Sequence, residues 1–221
     1  MLPETPASLA ACIDHTLLKP EATAADIEVL CTEAATYGFK AVCVTPCRLP
    51  LAVRLLAGQS PLAITVCGFP LGAAQTPIKA REAGLAVEQG AAEVDMVLNL
   101  GALKDGNLDF VRADIAAVVH ACAGAAVKVI LETCLLTDAE KELACRLAVD
   151  AGAAFVKTST GFSFGGATEA DVRLMRRVVG ANIGVKASGG IRTCEDALRL
   201  LAAGATRLGA SAGVNIMGGK P

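Results

Sequence analysis

The chain has 221 residues, of which 53% are hydrophobic and 3% are aromatic, and its formal net charge is −2. This length and hydrophobicity predict a single domain, 1–221, with a large core built from Ala, Val, Leu and Ile. No run of lysine or arginine occurs, so nucleic acid and anionic membrane surfaces are poor candidates as partners.

The cysteines, histidines and hydropathy of the chain indicate its cellular compartment and argue against a zinc site and a membrane span. Nine cysteines lie between Cys12 and Cys194 without a C-x-x-C pair, which favours free thiols in a reducing cytoplasm. Only two histidines occur, so a histidine-based zinc site is not expected. No leader pattern opens the sequence, and prolines and glycines interrupt the uncharged run between Arg54 and Lys79. We therefore expect neither a signal peptide nor a membrane-spanning helix.

In chain order, the sequence alternates between short β-branched or apolar segments and longer segments bounded by helix-capping residues. The predicted strands are 13–17, 41–45, 64–69, 93–99, 127–132, a strand that begins at Phe155 and is broken by Gly161, 184–188 and 206–211. The predicted helices, with their capping residues, run from Thr23 to Gly38, 48–57, from Thr76 to 89, 108–122, from Thr137 to Gly152, from Thr168 to Gly180, and from Thr193 to Gly204.

This alternation predicts the fold class. Regular β-α alternation implies a parallel sheet, and eight units in about this length predict an α/β closed (β/α)8 barrel, the TIM barrel. A doubly wound open sheet is the alternative, although it usually has fewer strands at this size. A weak repeat favours the barrel, because a glycine closes a helix just before a strand at Gly38, Gly90, Gly152 and Gly204.

A lysine in the middle of the sixth strand is the first candidate for chemistry. Lys157 follows the apolar residues Phe155 and Val156, and burial of an ammonium group favours loss of its proton. A neutral lysine is a nucleophile for carbonyl compounds. The alternative is a snorkelling lysine at the mouth of the barrel, with its charge in water.

Polar side chains recur on one face of several strands. Val94, Met96 and Leu98 form an apolar face that should pack on helices, so the opposite face of each strand points into the barrel. A structural ion pair explains one inward charge equally well, but a set on consecutive strands indicates a site. The inward set is Asp95, Asn99, Lys128, Glu132, Lys157 and Lys186.

Lys157 and Lys186 belong to consecutive strands, which are neighbours in a barrel. Two nearby ammonium groups disfavour the second charge, so one pKa should be lowered. Spacing alone leaves open which lysine is the nucleophile. Asp95 is a candidate counter-ion for both, or a group that moves protons directly or through a water.

Glycine-rich loops follow the last two strands. Gly189 and Gly190 follow the seventh strand, and the segment from Gly209 to Gly213, which contains Ser211, follows the eighth. Loops at these two positions form the recurrent phosphate site of such barrels, and glycines let backbone N–H groups approach phosphate oxygens. A tight turn is the plain alternative for Gly-Gly. No nucleotide-binding glycine motif occurs in a strand-to-helix context.

Several motifs together resemble the deoxyribose-phosphate aldolase family, over about Cys12 to Gly213. They are Ile13-Asp-His-Thr-Leu-Leu-Lys-Pro20, Glu93-Val-Asp-Met-Val-Leu-Asn99, Phe155-Val-Lys-Thr-Ser-Thr-Gly-Phe162, Val185-Lys-Ala-Ser-Gly-Gly-Ile-Arg192 and Leu208-Gly-Ala-Ser211.

The resemblance implies a class I aldolase in deoxyribonucleoside catabolism. It would reversibly cleave 2-deoxy-D-ribose 5-phosphate to D-glyceraldehyde 3-phosphate and acetaldehyde, without a metal or organic cofactor. By motif, Lys157 resembles the Schiff-base lysine, Lys186 the lysine that perturbs it, and Asp95 the proton-relay carboxylate. Gly189, Gly190, Gly209 and Ser211 match the family's phosphate-binding positions. Thr158, Asp14 and Asn99 are also expected to contact the substrate. We also expect a cytoplasmic homo-oligomer, either a dimer or a tetramer.

Two features depart from some members of the family. Phe162 stands where some relatives have a lysine near the phosphate, and the only tyrosine is Tyr37, whereas some relatives have a C-terminal tyrosine that assists proton transfer. The rival hypotheses are another Schiff-base aldolase for a phosphorylated sugar, of the transaldolase-like or keto-acid type, and a barrel that binds a sugar phosphate without catalysis.

Overall fold

A computed structural model describes Pro3 and residues 5–219. Eight parallel strands are hydrogen-bonded in chain order and close into a barrel, because β1 pairs with β8 as well as with β2. The closed (β/α)8 barrel is thereby confirmed. The strands are β1 (Ile13–Leu17), β2 (Ala41–Val44), β3 (Leu62–Cys67), β4 (Glu93–Val97), β5 (Ala126–Ile130), β6 (Phe155–Lys157), β7 (Gly184–Ser188) and β8 (Arg207–Ala210).

Helices follow every strand. They are α1 (Pro6–Ala10), α2 (Ala24–Tyr37), α3 (Leu49–Leu55), α4 (Thr76–Glu88), α5 (Leu100–Lys104), α6 (Leu108–Ala121), α7 (Asp138–Asp150), α8 (Glu169–Val179), α9 (Cys194–Ala202) and α10 (Gly213–Ile216). Among the described residues, no helix is long and apolar enough to cross a membrane.

Threonine caps fix the starts of several helices. Thr23, Thr137 and Thr193 each accept a hydrogen bond from the backbone three residues later and complete a capping box, as the sequence predicts. The prediction for Thr76 is wrong, because Gln75 is the N-cap and Thr76 is the first helical residue. The Thr76 hydroxyl instead donates to Asp114 on α6, at 2.7 Å, so a tertiary contact uses the group that the local pattern assigned to a cap.

Strands β3, β4 and β5 each end two residues earlier than predicted, and β2 and β8 end one residue earlier. Strand β4 ends at Val97, and the side chain of Asn99 caps α5, a helix that the sequence pattern did not indicate. Strand β5 ends at Ile130, and Glu132 adopts a left-handed backbone conformation with φ of 53°. Asn99 and Glu132 therefore lie in the loops at the C-terminal end of the barrel.

The main core lies between the strands and the helices, where Val94, Met96 and Leu98 pack as predicted. A second apolar cluster lies on β2 and β3 and includes Cys43, Ile64 and Val66. The interior beside β4 to β8 and β1 is polar, with buried charged side chains. The barrel interior thus has one apolar wall, and a cluster of buried charged side chains fills the remainder.

Candidate active site

A cleft of about 430 Å³ opens at the C-terminal ends of the strands, where barrel enzymes place their active sites. The side chain of Lys157 lies in its wall, and the loops after β1, β6, β7 and β8 surround it. The lining residues are Thr16, Leu17, Leu18, Lys19, Lys157, Thr160, Gly161, Phe162, Ser188, Gly189, Gly190, Ile191, Arg192, Gly209, Ala210 and Ser211.

Lys157 is the last residue of β6, and it is 3% exposed. Its Cα pairs across the sheet with that of Lys186 on β7, so the two side chains enter the barrel at the same height. Lys157 Nζ donates to Asp95 Oδ2 at 2.9 Å. Of the two lysines, Lys157 lines the cleft and Lys186 does not. Sequence spacing left open which lysine is the nucleophile, and the position of Lys157 in the cleft wall favours Lys157.

Asp95 on β4 is the centre of the cluster of buried charged side chains and contacts three lysines. Its Oδ1 accepts from Lys128 Nζ at 2.6 Å, and its Oδ2 accepts from both Lys186 at 2.7 Å and Lys157 at 2.9 Å. Burial by itself would raise the pKa of Asp95, but the three lysines outweigh burial and hold the pKa well below its usual range. Asp95 is therefore a carboxylate near neutral pH.

Lys157 and Lys186 differ in how many carboxylates compensate the charge of each ammonium group. Burial lowers the pKa of Lys157, Asp95 partly offsets this effect, and the Lys186 cation lowers the pKa further. Lys186 also donates to Asp14 Oδ2, and burial, which alone would lower its pKa, is outweighed by Asp14 and Asp95, so the pKa of Lys186 is raised. Lys186 therefore remains a cation while Lys157 loses its proton more easily.

The loops after β7 and β8 line the other side of the cleft. Gly189 and Gly190 have positive φ values of 89° and 79°, which favour glycine at both positions. Gly209 is needed for space, because a Cβ there would lie 2.9 Å from Lys186 Cε. Ser211 completes the lining on this side. All four predicted residues therefore border one cleft, although Gly209 lies within β8 and not in the loop that follows it. Phosphate binding by these residues stays a prediction.

Three other residues predicted to contact substrate do not line the cleft. Asp14 is fully buried and accepts from Lys186 and Arg207. Thr158 is fully buried and exchanges hydrogen bonds with the backbone of Ser188. Asn99 Oδ1 accepts from Ala102 N at 3.1 Å as a helix cap. In this structure these three side chains are engaged in internal hydrogen bonds and ion pairs.

Lys128 and Glu132, the other two members of the inward set, take different positions. Lys128 lies inside the barrel and bridges Asp95 and Glu93. Glu132 lies beyond the strand, and its carboxylate accepts from the backbone N–H and the hydroxyl of Thr160. Glu132 thus orders the loop that follows Lys157.

Several residues of the site were not singled out from the sequence. Arg207 and Glu93 form buried ion pairs beneath Asp95, and strand parity was the signal, since each lies two residues before an inward position. Lys19 and Arg192 are exposed cations on the rim of the cleft. Phe69 was also missed; it contacts Phe162 edge to face at 5.2 Å between centroids, and no local pattern indicates that pair.

Fold and site together define a barrel enzyme in which a buried lysine faces a cleft beside a carboxylate, an arrangement suited to covalent chemistry on carbonyl compounds. The model of the DeoC/LacD family of aldolases matches residues 8–218. The chain belongs to this family.

Individual relatives are similar along nearly the whole chain. The chain is 60% identical over 214 residues to the deoxyribose-phosphate aldolase of Bacillus subtilis, covering 96% of each sequence. It is 59% identical over 215 residues to that of Carboxydothermus hydrogenoformans, covering 96% of this chain and 94% of the relative. The structure of the tetrameric deoxyribose phosphate aldolase from Aeropyrum pernix superimposes with a TM-score of 0.91 at 36% identity, covering 97% of this chain and 91% of that chain.

Proposed function

We propose that this protein is a class I deoxyribose-phosphate aldolase that reversibly cleaves 2-deoxy-D-ribose 5-phosphate to D-glyceraldehyde 3-phosphate and acetaldehyde. The observation that carries the proposal is Lys157, a buried lysine that lines the cleft, has a lowered pKa and lies 2.9 Å from Asp95. The relatives that share 59–60% identity along the chain bear this activity in their names.

The cycle begins when neutral Lys157 attacks the C1 aldehyde of the open-chain sugar. Loss of water from the adduct gives a protonated imine, and the imine accepts the electron pair of the breaking C2–C3 bond as the C3 hydroxyl loses its proton. The fragment C3–C5 leaves as glyceraldehyde 3-phosphate, and the remaining enamine of C1 and C2 is protonated at C2. Hydrolysis of the imine then releases acetaldehyde and restores the amine.

Asp95 and Lys186 move or stabilise the protons of this cycle. Lys186 Nζ donates to Asp95 Oδ2 at 2.7 Å, and the same oxygen accepts from Lys157 Nζ. The retained cation of Lys186 stabilises the Asp95 carboxylate, which can accept a proton from the carbinolamine or from the C3 hydroxyl through a water. The single Tyr37 lies in α2, so the proposed cycle assigns no step to a tyrosine.

The phosphate would lie against the loops after β7 and β8. Gly189, Gly190, Gly209 and Ser211 border the cleft on this side, and Lys19 and Arg192 add positive charge at its rim. Because phosphate is recognised by backbone N–H groups and cations, this side suits the 5-phosphate and the apolar wall suits the acetaldehyde end.

The enzyme is further proposed to act in the cytoplasm in deoxyribonucleoside catabolism, as a homo-oligomer. The tetrameric relative from Aeropyrum pernix supports an oligomer, and size-exclusion chromatography with light scattering distinguishes a dimer or tetramer from a monomer.

A paired glycine substitution tests the proposed substrate. Gly190→Asp places a carboxylate in open space beside the cleft, and it should raise KM for deoxyribose 5-phosphate by about tenfold or more through repulsion, far more than for unphosphorylated deoxyribose. Gly124→Asp is the matched control, because Gly124 also has positive φ and open space but precedes β5 at the other end of the barrel.

Equal damage to both sugars in Gly190→Asp would remove the phosphate assignment. Turnover of a keto-acid or transaldolase substrate without turnover of deoxyribose 5-phosphate would support the rival aldolase. Binding of the sugar phosphate with no turnover of any substrate would support the non-catalytic barrel.

A further inference from the structure

We infer that Glu93 and Arg207, at the floor of the barrel, are positioning residues for the reaction: they complete a closed ring of alternating charges that holds Asp95 and sets the protonation of Lys157. This inference rests on the proposed function and deepens it. Neither residue lines the cleft, so neither is expected to touch substrate.

The ring can be followed through six side chains. Asp95 Oδ1 accepts from Lys128 at 2.6 Å, and Lys128 forms an ion pair with Glu93 Oε2 at 2.6 Å. Arg207 donates to both oxygens of Glu93, at 3.0 and 3.2 Å, and to Asp14 Oδ1 at 2.8 Å. Asp14 accepts from Lys186, and Lys186 returns to Asp95 Oδ2 at 2.7 Å. Three cations and three carboxylates therefore alternate around a closed path.

Lys157 is a seventh charged group attached to this ring. It bonds only one ring member, through Asp95 Oδ2, which Lys186 already occupies. The three cations of the ring already match its three carboxylates, so a charged Lys157 would add an uncompensated ammonium to the connected network. In a buried site this excess charge favours the neutral amine.

One partly buried aromatic side chain packs against two cations of the ring. Phe155 lies two residues before Lys157 on the same face of β6, and its ring centroid is 5.3 Å from the Arg207 guanidinium carbon and 5.8 Å from Lys128 Nζ. Gly184, its neighbour across the sheet, makes the room, because a Cβ there would overlap the Phe155 ring. The ring members are all buried, so their charges act on one another with little screening by water.

Other groups near Lys157 do not form part of this path. Cys43 faces it from β2, and burial raises the pKa of that thiol to about 11, so it remains neutral near pH 7. Glu132 is bonded to Thr160, and Lys19 and Arg192 are exposed at the rim. None of these contacts Glu93 or Arg207 among the described hydrogen bonds and ion pairs, so changes at the floor reach Lys157 through the ring.

Two single substitutions should move the titration of Lys157 in opposite directions. Arg207→Met removes a cation, so the Lys157 ammonium becomes easier to keep and its pKa should rise. Glu93→Gln removes an anion, and the pKa should fall. We expect each shift to be at least about half a pH unit, as for a buried charge interacting through an effective protein dielectric. Arg207→Lys keeps the charge and should restore the wild-type profile.

The measurement is the rate of imine formation with acetaldehyde, trapped by borohydride, as a function of pH. The double variant Glu93→Gln/Arg207→Met keeps the charge count of the ring and should titrate close to wild type, which also tests the inference if one single variant fails to fold. Shifts of the same sign, or lower rates at an unchanged midpoint, would overturn the inference. Absence of a trapped imine in the wild-type protein would instead overturn the proposed function.

Discussion

At the scale of single residues, the two central lysines differ in how many carboxylates compensate each of them. Lys186 contacts Asp14 and Asp95, whereas Lys157 contacts Asp95 alone and shares its Oδ2 with Lys186. Burial disfavours both ammonium groups, so the one with a single shared partner gives up its proton first. Two identical side chains at one height of the barrel thus acquire different roles from their partners.

Removal of the second lysine should expose this coupling. In Lys186→Leu the positive neighbour is lost, so the pKa of Lys157 should rise by about one unit and the acid limb of kcat/KM should shift to higher pH. Imine formation should therefore fall at neutral pH and recover in part above it. An unchanged acid limb with uniformly lower kcat would mean that Lys186 acts as a proton donor and not as an electrostatic neighbour.

Phe162 allows a test of phosphate affinity, because it lines the cleft and is 52% exposed. Phe162→Lys adds a cation where some relatives have a lysine, and it should lower KM for deoxyribose 5-phosphate by about three- to tenfold at low salt, with little change for deoxyribose. Phe164→Lys is the matched control, since Phe164 is 83% exposed and outside the cleft lining. The same change in KM from both variants would assign the effect to net charge alone.

At the scale of elements, a buried ion pair joins two helices of the outer layer. Lys79 on α4 donates to Asp114 on α6 at 2.7 Å and to the carbonyl oxygen of Val97, where β4 ends, at 3.0 Å. Thr76 also donates to Asp114. This contact fixes both helices against the end of the strand that carries Asp95.

Breaking this pair should destabilise the fold more than replacing it. Lys79→Met leaves a buried carboxylate without its cation, and it should lower the free energy of unfolding by about 3–5 kcal/mol. The double variant Lys79→Met/Asp114→Leu should recover most of that loss, because no unpaired charge remains buried. Urea unfolding measures both values. A single variant as stable as wild type would show that the pair contributes little to holding α4 and α6 together.

The elements that were predicted well are those whose ends are set by local chemistry. The capping threonines at Thr23, Thr137 and Thr193 fix helix starts through bonds to residues three positions away, which a short sequence window contains. The ends of β4 and β5 were predicted too far along the chain, because inward polarity at Asn99 and Glu132 continues past the last ladder hydrogen bond. Asn99 instead caps α5 through a local bond from Ala102 N, which the strand pattern obscured, and Glu132 makes a tertiary contact with Thr160.

At the scale of the whole molecule, alternation of strands and helices was enough to predict closure into a barrel, and strand parity was enough to predict that Asp95, Lys128, Lys157 and Lys186 point inward. The pairings among them were not predictable. Arg207 and Asp14 meet across 193 positions of sequence only because β8 closes against β1. The closure and strand stagger of the barrel thus determine which carboxylate pairs with which cation. The local spacing of residues in the sequence does not give this information.

The most direct test of the account is to locate the lysine that forms the imine. Reduction with borohydride in the presence of acetaldehyde, followed by peptide mapping, should place an ethyl group on Lys157. Lys157→Leu should remove the label at every pH, and Lys186→Leu should retain it. A label on Lys186 or Lys128 in the wild-type protein, or an unlabelled but active enzyme, would contradict the account.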